Sequence, residues 1–482
     1  MSNENKAFKA GVWYVVGNFL AKAAGFITTP FFTRILTKSE IGNFANLTSW
    51  IEIFAVVFTL NLTSSVMIAR FDYGEELDDY ISSNLILGSL VTLVVYSVVV
   101  INKSFFISLL NLSEYEIHVI FMYLAVYPAL QMYLIKSRIK YEYRNAVMIS
   151  LVATIASTIL SLVCAVIFSD KLLGRVIGYY GILFVINLAI YISILLKARR
   201  IKCSYWKYAL AISLPLIWHA LAGNILGSSD RVMITHYCGD EATAYYSIAY
   251  YCGLMLSVFW SAINNAWSTW AYEKMDEQNI YQLKSASKPL LLLMGGIIFI
   301  ILLFAPEILL LMGGKSYMEA VYVIPPVVIA YAFQVVYSLY VNVEFFYKKQ
   351  KYIAIGTTIA AIVNIVLNVI FIPAFGYIAA AYTTLAGYIL LFFIHFYFVF
   401  RMKKSDWYDI KFNLIFLGVS LLLLPLSTLL YKFFVVRVCA ILILGISILV
   451  TAFLLRREIN KSIKSRSIKP LKAVIKTLRE EN

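Results

Sequence analysis

The sequence predicts an all-α polytopic membrane protein of about 14 transmembrane helices. Three observations predict it. The 482 residues are 61% hydrophobic and only 14% charged, with mean hydropathy +0.81; a soluble chain carries roughly 25% charged residues. Apolar stretches of about 20 residues, the length that spans a bilayer as a helix, recur along the whole chain, and none shows the alternating polarity of barrel strands. The basic residues between these stretches alternate in abundance, as loops on opposite sides of a membrane do.

In order, the apolar segments span 10–33, 41–69, 80–101, 116–136, 146–169, 175–196, 208–235, 242–271, 288–312, 321–346, 352–373, 377–400, 411–431 and 436–455. The first is long, lacks a small-residue cleavage site and contains Lys22, so it reads as a retained helix and not a signal peptide. With a cytoplasmic N-terminus, 31 of the 41 Lys and Arg fall in the inner loops and tails and 8 in the outer loops, leaving Lys22 and Arg231 inside helices. "KSRIKYEYR", "KARRIKCSYWK", "YKKQK" and "RMKKSDW" are the inner clusters. An odd helix count would scramble this alternation, so both termini are expected in the cytoplasm. The formal charge of +15 then follows from loop sidedness, and nucleic acid is not an expected partner. The outer loops are short, and no Walker-type phosphate loop occurs, which argues against an ATP-driven pump.

"TKSEIGNFANLTSWIEIFAV" after segment 1 and "CGDEATAYYSIAYYCGLMLS" after segment 7 both pair a short acidic turn with a small, aromatic-rich helix start, Glu40 aligning with Glu241. The repeat divides the chain into an N-terminal six-helix lobe (1–200), a C-terminal six-helix lobe (201–405), two additional transmembrane helices (406–456) and a basic cytoplasmic tail (457–482). Six is even, so the lobes share one orientation, and substrate sites in such proteins lie between them. In the tail, Leu471, Val474, Ile475 and Leu478 share one helical face; it reads as a topology anchor or as a basic amphipathic helix on the inner leaflet.

The helices carry polar stripes at i, i+4, i+7, i+11 spacing. They comprise Asn18, Lys22, Gly25 and Thr29; Thr48, Glu52, Thr59 and Thr63; and Asn224, Ser228, Arg231 and Thr235, with Asp230 beside them. They continue with Ser257, Ser261, Asn264 and Ser268, flanked by Trp260, Trp267 and Trp270; then Tyr331, Gln334, Ser338 and Asn342; then Thr357, Asn364 and Asn368. In lipid, polar groups must face protein or water. Ser, Thr and Asn can serve as interhelical glue. Charges at membrane depth cost several kcal/mol and by default mark a functional cavity; a Lys22–Glu52 or Asp230–Arg231 pair with no transport role is the alternative. Cations bind phosphate, amides and hydroxyls bind sugar hydroxyls, and aromatic faces stack on sugar rings. The substrate-binding candidates are therefore Lys22, Arg231, Asn18, Asn264, Trp267 and Gln334, and the coupling or charge-pair candidates Glu52 and Asp230. The five cysteines match no zinc pattern and read as small core residues; the four histidines are dispersed, so no metal site and no catalytic residue is expected. His219 reads as a structural histidine.

"YKKQKYIAIGTTIAAIVNIVLNVIFIPAFGYIAAAYTTLAGY" has a basic inner loop, then Asn364 and Asn368 four apart, Ile372-Pro373, Gly376, small Ala379 and Ala380, and Thr383. With "SSDRVMI" and "FFTRILTKSEIGNFA" it resembles the bacterial oligosaccharide (O-antigen or capsule repeat-unit) flippases of the multidrug/oligosaccharidyl-lipid/polysaccharide exporter superfamily, over essentially the whole chain. The resemblance implies two lobes around a V-shaped, cation-lined cavity, with Lys22, Asp230 and Arg231 as cavity positions. It implies a polyprenyl-diphosphate-linked oligosaccharide as substrate, moved by alternating access from the inner to the outer leaflet of the bacterial cytoplasmic membrane. The lipid tail would stay outside the cavity, with helices 13 and 14 forming its groove. No enzymatic activity and no cofactor are implied; drive comes from H⁺, Na⁺ or the membrane potential, and membrane lipids and polysaccharide assembly proteins are the further partners. With two clear intramembrane cations, a neutral glycan is favoured over a strongly anionic one. The competing readings are a lipid-linked peptidoglycan precursor flippase, a cation-coupled drug exporter, and a membrane enzyme such as a polysaccharide polymerase, which usually needs a large outer loop that this chain lacks.

Overall fold

The computed structural model describes residues 24–446 apart from residue 141, with single positions 13, 17 and 20 ahead of them. Asn18, Lys22 and the amphipathic tail stretch 471–478 lie outside the described residues. The chain divides into one unit up to Leu424 and another from Pro425. Among the described residues there is helix and no strand. The end of α1 occupies 24–35. Twelve helices long and apolar enough to cross a membrane follow: α2 Lys38–Asp72, α3 Gly74–Ile101, α4 Glu114–Ile139, α5 Arg144–Ile167, α6 Lys171–Leu195, α7 Cys203–Cys238, α8 Asp240–Asp276, α9 Ile280–Leu303, α10 Lys315–Phe346, α11 Gln350–Phe375, α12 Tyr377–Arg401 and α13 Ile410–Leu430. In the second unit, α14 is a shorter apolar helix, Phe434–Ile446. Predicted segments 2 to 13 fall on the twelve long helices in order, most of which are longer than the apolar stretch, whereas segments 1 and 14 lie partly outside the described residues.

At the start of α2, Thr37 and Glu40 form a capping box: the Glu40 carboxylate accepts from the Thr37 backbone N–H at 2.7 Å. The aligned Glu241 also sits in the first turn of its helix, α8. Ser113 and Glu116 cap α4 in the same way, and Asp170 caps α6 by accepting from the Leu173 N–H at 2.9 Å. That last cap corrects a boundary. Arg175 falls at the predicted start of segment 6 and counts among the outer-loop charges; in the structure α6 starts at Lys171, which carries Arg175 inside the helix. Gly174 and Gly178 then press α6 against α5: a Cβ at Gly174 would stand 2.3 Å from the Cys164 carbonyl oxygen, and one at Gly178 2.6 Å from Ser161 Cα. Small residues four apart allow this backbone approach.

The cysteines depart from expectation. Cys252 is buried, but Cys203 and Cys439 are exposed. The large aromatics build the interior instead. In the first half, Leu47, Ile51, Ile120 and Tyr180 anchor one apolar cluster of α2, α4 and α6. Leu62, Val66, Tyr80 and Tyr205 anchor a second, formed by the far end of α2 with α3 and α7. In the second half, 83% of the apolar window of α10 is buried, against 22% for α7, so α10 is the central helix and packs on α8 and α12. α2 lies along both α7 and α8, and this seam between the two halves of the sequence positions the cavities.

Candidate functional site

A cavity of about 540 Å³ opens beside α2, α7, α8 and α10. On α2 it is lined by Glu52 and Thr59, and by Asn61 and Thr63 at an interruption in that helix. Leu60 (φ 52°) and Asn61 (φ 49°) are left-handed there, and the helix restarts over Thr63–Asp72. Sequence reading treats this stretch as one helix and misses the break, since no glycine or proline marks it. On α7 the wall is Asn224, Ser228 and Arg231, the predicted stripe at i, i+4, i+7. Opposite stand Tyr250 and Ser257 of α8, Tyr331 and Gln334 of α10, and Tyr388 of α12.

Two contacts tie α7 to α2. Asn224 Nδ2 donates to the Glu52 carbonyl oxygen at 2.6 Å, and the Ser228 hydroxyl donates to the Glu52 carboxylate. Arg231 donates from Nη1 to the Gly227 carbonyl at 3.1 Å and lies 4.7 Å from the centre of the Tyr250 ring. Tyr331 donates its hydroxyl to that of Tyr250 at 3.1 Å and packs against Tyr388, ring centres 6.0 Å apart. The wall therefore offers one guanidinium, one carboxylate, amides and a run of tyrosines. Among the described residues Arg231 has no carboxylate at ion-pair distance.

Asp230, the next residue, faces the other way. It is 1% exposed, and its carboxylate accepts from Tyr246 Oη at 2.6 Å, Thr384 Oγ1 at 2.5 Å and Asn368 Nδ2 at 2.7 Å. Asn368 in turn donates to Asn364 Oδ1 at 3.2 Å and accepts from Thr383. The residues of the "NIVLN" and "YTTLAGY" motifs thus gather around Asp230, and no Asp230–Arg231 ion pair forms. Asn264 accepts from Asn342 Nδ2 at 3.1 Å, and Trp267 packs on Trp270 with ring centres 5.2 Å apart; neither lines this cavity. Of the predicted site residues, the structure brings Glu52, Arg231 and Gln334 together.

A second cavity of about 120 Å³ shares Glu52, Arg231 and Leu254 with the first and continues to Thr33, Phe44 and Arg175. Arg175 is the functional candidate that sequence reading misses. The Asp170 cap and the Gly174–Gly178 pair are the signals that would have placed it in the helix.

The model of the family described as polysaccharide biosynthesis protein matches residues 7–268, more than half of the chain. A protein of the Lsg locus of Haemophilus influenzae is 21% identical over 377 residues, 75% of this chain and 90% of that protein. Among solved structures, the lipid II flippase MurJ in an inward closed conformation matches with a TM-score of 0.70 at 18% identity, covering 92% of this chain and 100% of that one. An inward-facing multidrug resistance MATE family transporter of the MOP superfamily matches with a TM-score of 0.56 at 15% identity, covering 81% and 95%. The structural likenesses are likenesses of fold, and that fold is one of flippases and transporters. Sequence carries the rest: the chain belongs to the polysaccharide biosynthesis protein family.

Proposed function

We propose that this protein is a flippase that carries polyprenyl-diphosphate-linked oligosaccharide repeat units from the inner to the outer leaflet of the bacterial cytoplasmic membrane, for surface polysaccharide such as O-antigen or capsule. The observation that carries this reading is Arg231, a guanidinium on the wall of a cavity of about 540 Å³ that, among the described residues, has no carboxylate at ion-pair distance. A charge at membrane depth marks a substrate path by default, and a guanidinium fork fits phosphate oxygens two at a time. The surrounding amides, hydroxyls and tyrosine faces suit a sugar, and the volume is that of sites that enclose a compact polar ligand. The polyprenyl chain stays in lipid. Both termini are cytoplasmic in this reading, so the larger cavity lies toward the cytoplasm and the smaller one toward the outside, and the substrate passes by alternating access to polysaccharide assembly proteins. Asp230 and Glu52 are the carboxylates for coupling to H⁺ or Na⁺; the Asp230 carboxylate is held by the Asn368 amide N–H and the hydroxyls of Tyr246 and Thr384.

The test is a deletion strain whose lipid extract is analysed with an impermeant lectin or glycosidase. Full-length repeat units trapped on the inner leaflet support flipping and reveal the sugar. Arg231→Gln is expected to reproduce the trapping, with transport down about 100-fold, the loss typical of removing one partner of a desolvated charge contact. Normal outer-leaflet units without polymer would move the assignment to a polymerase, and loss of viability with trapped peptidoglycan precursor to the alternative flippase.

A further inference from the structure

The smaller cavity contains a cation that the reading above does not use. Arg175 lies with its guanidinium 3.8 Å from the centre of the Phe44 ring and 4.3 Å from that of Phe32. Stacking satisfies the face of the guanidinium but not its edge, and the fork of N–H donors points in the plane. Arg175 Nε and Nη1 are buried without a hydrogen-bond partner, and among the described residues no carboxylate lies at ion-pair distance. Leaving buried donors unpaired costs free energy that a structure does not give up without return. Ser247, 2% exposed, lines the same cavity, and its hydroxyl is also without a partner. The threonines and the other serine that line it are committed: Thr29 donates to the Gly25 carbonyl at 2.8 Å, Thr33 to the Met312 carbonyl at 2.6 Å, Thr48 to the Phe44 carbonyl at 2.9 Å and Ser49 to the Ala45 carbonyl at 2.8 Å. The buried groups left without a partner are a bidentate cation and one hydroxyl.

We propose that this cavity is an oxyanion station on the outer side of the path, where Arg175 and Ser247 take the diphosphate after Arg231 releases it. The source of the diphosphate rests on the flippase reading; the oxyanion chemistry rests on Arg175 and Ser247. At about 120 Å³ the cavity holds phosphate groups and excludes the glycan, which stays in the larger one. Glu52 and Arg231 line both cavities, so an anion leaving Arg231 moves toward a second cation instead of into apolar surroundings. Two sites of moderate strength conduct better than one strong site, because each lets go.

The experiment uses the full-length protein, in detergent for binding and in proteoliposomes for transport. The binding probe is inorganic diphosphate, read by thermal stabilisation; the transport probe is a short prenyl-diphosphate-linked sugar whose sidedness an impermeant glycosidase reports. Arg231→Gln is expected to keep a weaker response to inorganic diphosphate, and adding Arg175→Gln to lower it by about tenfold. Arg175→Gln alone is expected to change binding less than threefold while slowing transport about tenfold, and Arg175→Lys, which keeps the charge but not the fork, to recover part of it. If Arg175→Gln does not fold, Ser247→Ala in the Arg231→Gln background carries the test, with an expected fewfold loss of diphosphate binding. Diphosphate binding and transport that ignore both substitutions overturn the proposal. Binding of inorganic diphosphate through Arg175 in a protein that moves no prenyl diphosphate keeps the anion site, assigns it to a free anion, and sinks the flippase reading alone.

Discussion

The two ends of α2 are built differently. At the end that the loop charges assign to the outside, the helix is continuous and pressed against the turn that starts α8. A Cβ on Gly42 would stand 1.7 Å from the Asp240 carbonyl oxygen, so backbone meets backbone with no side chain between. Thr33, ahead of α2, donates to the Met312 carbonyl at 2.6 Å, and Lys38 reaches Tyr245 at 2.5 Å. Toward the other end the helix breaks at Leu60–Asn61, the cavity fills the space beside it, and the hydroxyls of Ser64 and Ser213 meet at a loose 3.3 Å. Left-handed φ at a non-glycine residue costs of order 1–3 kcal/mol and marks functional segments; a break beside a cavity lets backbone turn toward polar space within a membrane. In the proposed flippase reading, one helix therefore closes the outer end by contact and leaves a cavity beside its interruption at the inner end.

The largest expected effect comes from breaking the sealed end. Gly42→Val places a branched side chain where the Asp240 carbonyl now sits, and main chain cannot yield as a flexible side chain would. Transport in proteoliposomes is expected to fall by about 100-fold, the scale of a lost conformational step in which two states differ by about 3 kcal/mol. A cysteine at Ser247, in a cysteine-free background, is then expected to react with an impermeant maleimide from outside, and to stay unlabelled with Gly42 in place. Full transport by Gly42→Val would show that the contact is not a seal.

A smaller effect separates the cavity face of α7 from its back. Asp230→Asn keeps the shape of the cluster but turns one acceptor oxygen into a donor facing hydroxyl and amide donors. Stability in detergent is expected to drop by about 1–3 kcal/mol, the cost of unpairing a buried charge-assisted contact, visible as a lower melting temperature. Arg231→Gln, one residue away but facing the cavity, is expected to leave stability within about 0.5 kcal/mol of the wild type. Equal destabilisation by both would place Arg231 in the packing rather than in the path.

How much of this was legible depends on the residue. The helices were, because twenty-residue apolar stretches leave the chain no other structure in lipid. The stripes on α2 and α7 were, because helical periodicity put Glu52, Ser228 and Arg231 on faces that meet. Asp230 was visible as a charge but not as the centre of a cluster, since periodicity places it off the α7 stripe and its partners come from α8, α11 and α12. Asn264 and Trp267 share the helical pattern of cavity residues yet pack on Asn342 and Trp270; spacing gives a face, and only tertiary packing says what that face meets. Arg175 was hidden by its place at a helix end, where a cap decides whether a charge counts as loop or interior. The break at Leu60–Asn61 left only a weak trace, Asn61, a residue type that takes the left-handed conformation more readily than most.

The smallest expected effect sharpens the comparison at its outer edge. Lys38 donates to the Tyr245 hydroxyl and lies 4.6 Å from the centre of its ring, one turn from Gly42, so it looks like part of the seal. It is only partly buried, and a cation–π contact at such a site contributes about 0.5–1 kcal/mol, much less than a backbone collision. Lys38→Met is therefore expected to change transport by less than about twofold and stability by less than about 1 kcal/mol. If it matched Gly42→Val instead, with outside labelling of Ser247→Cys, closure would depend on a screened side-chain contact. High salt would then open the outer end of the wild-type protein as well, whereas closure by the Gly42–Asp240 backbone contact leaves that end shut at any ionic strength.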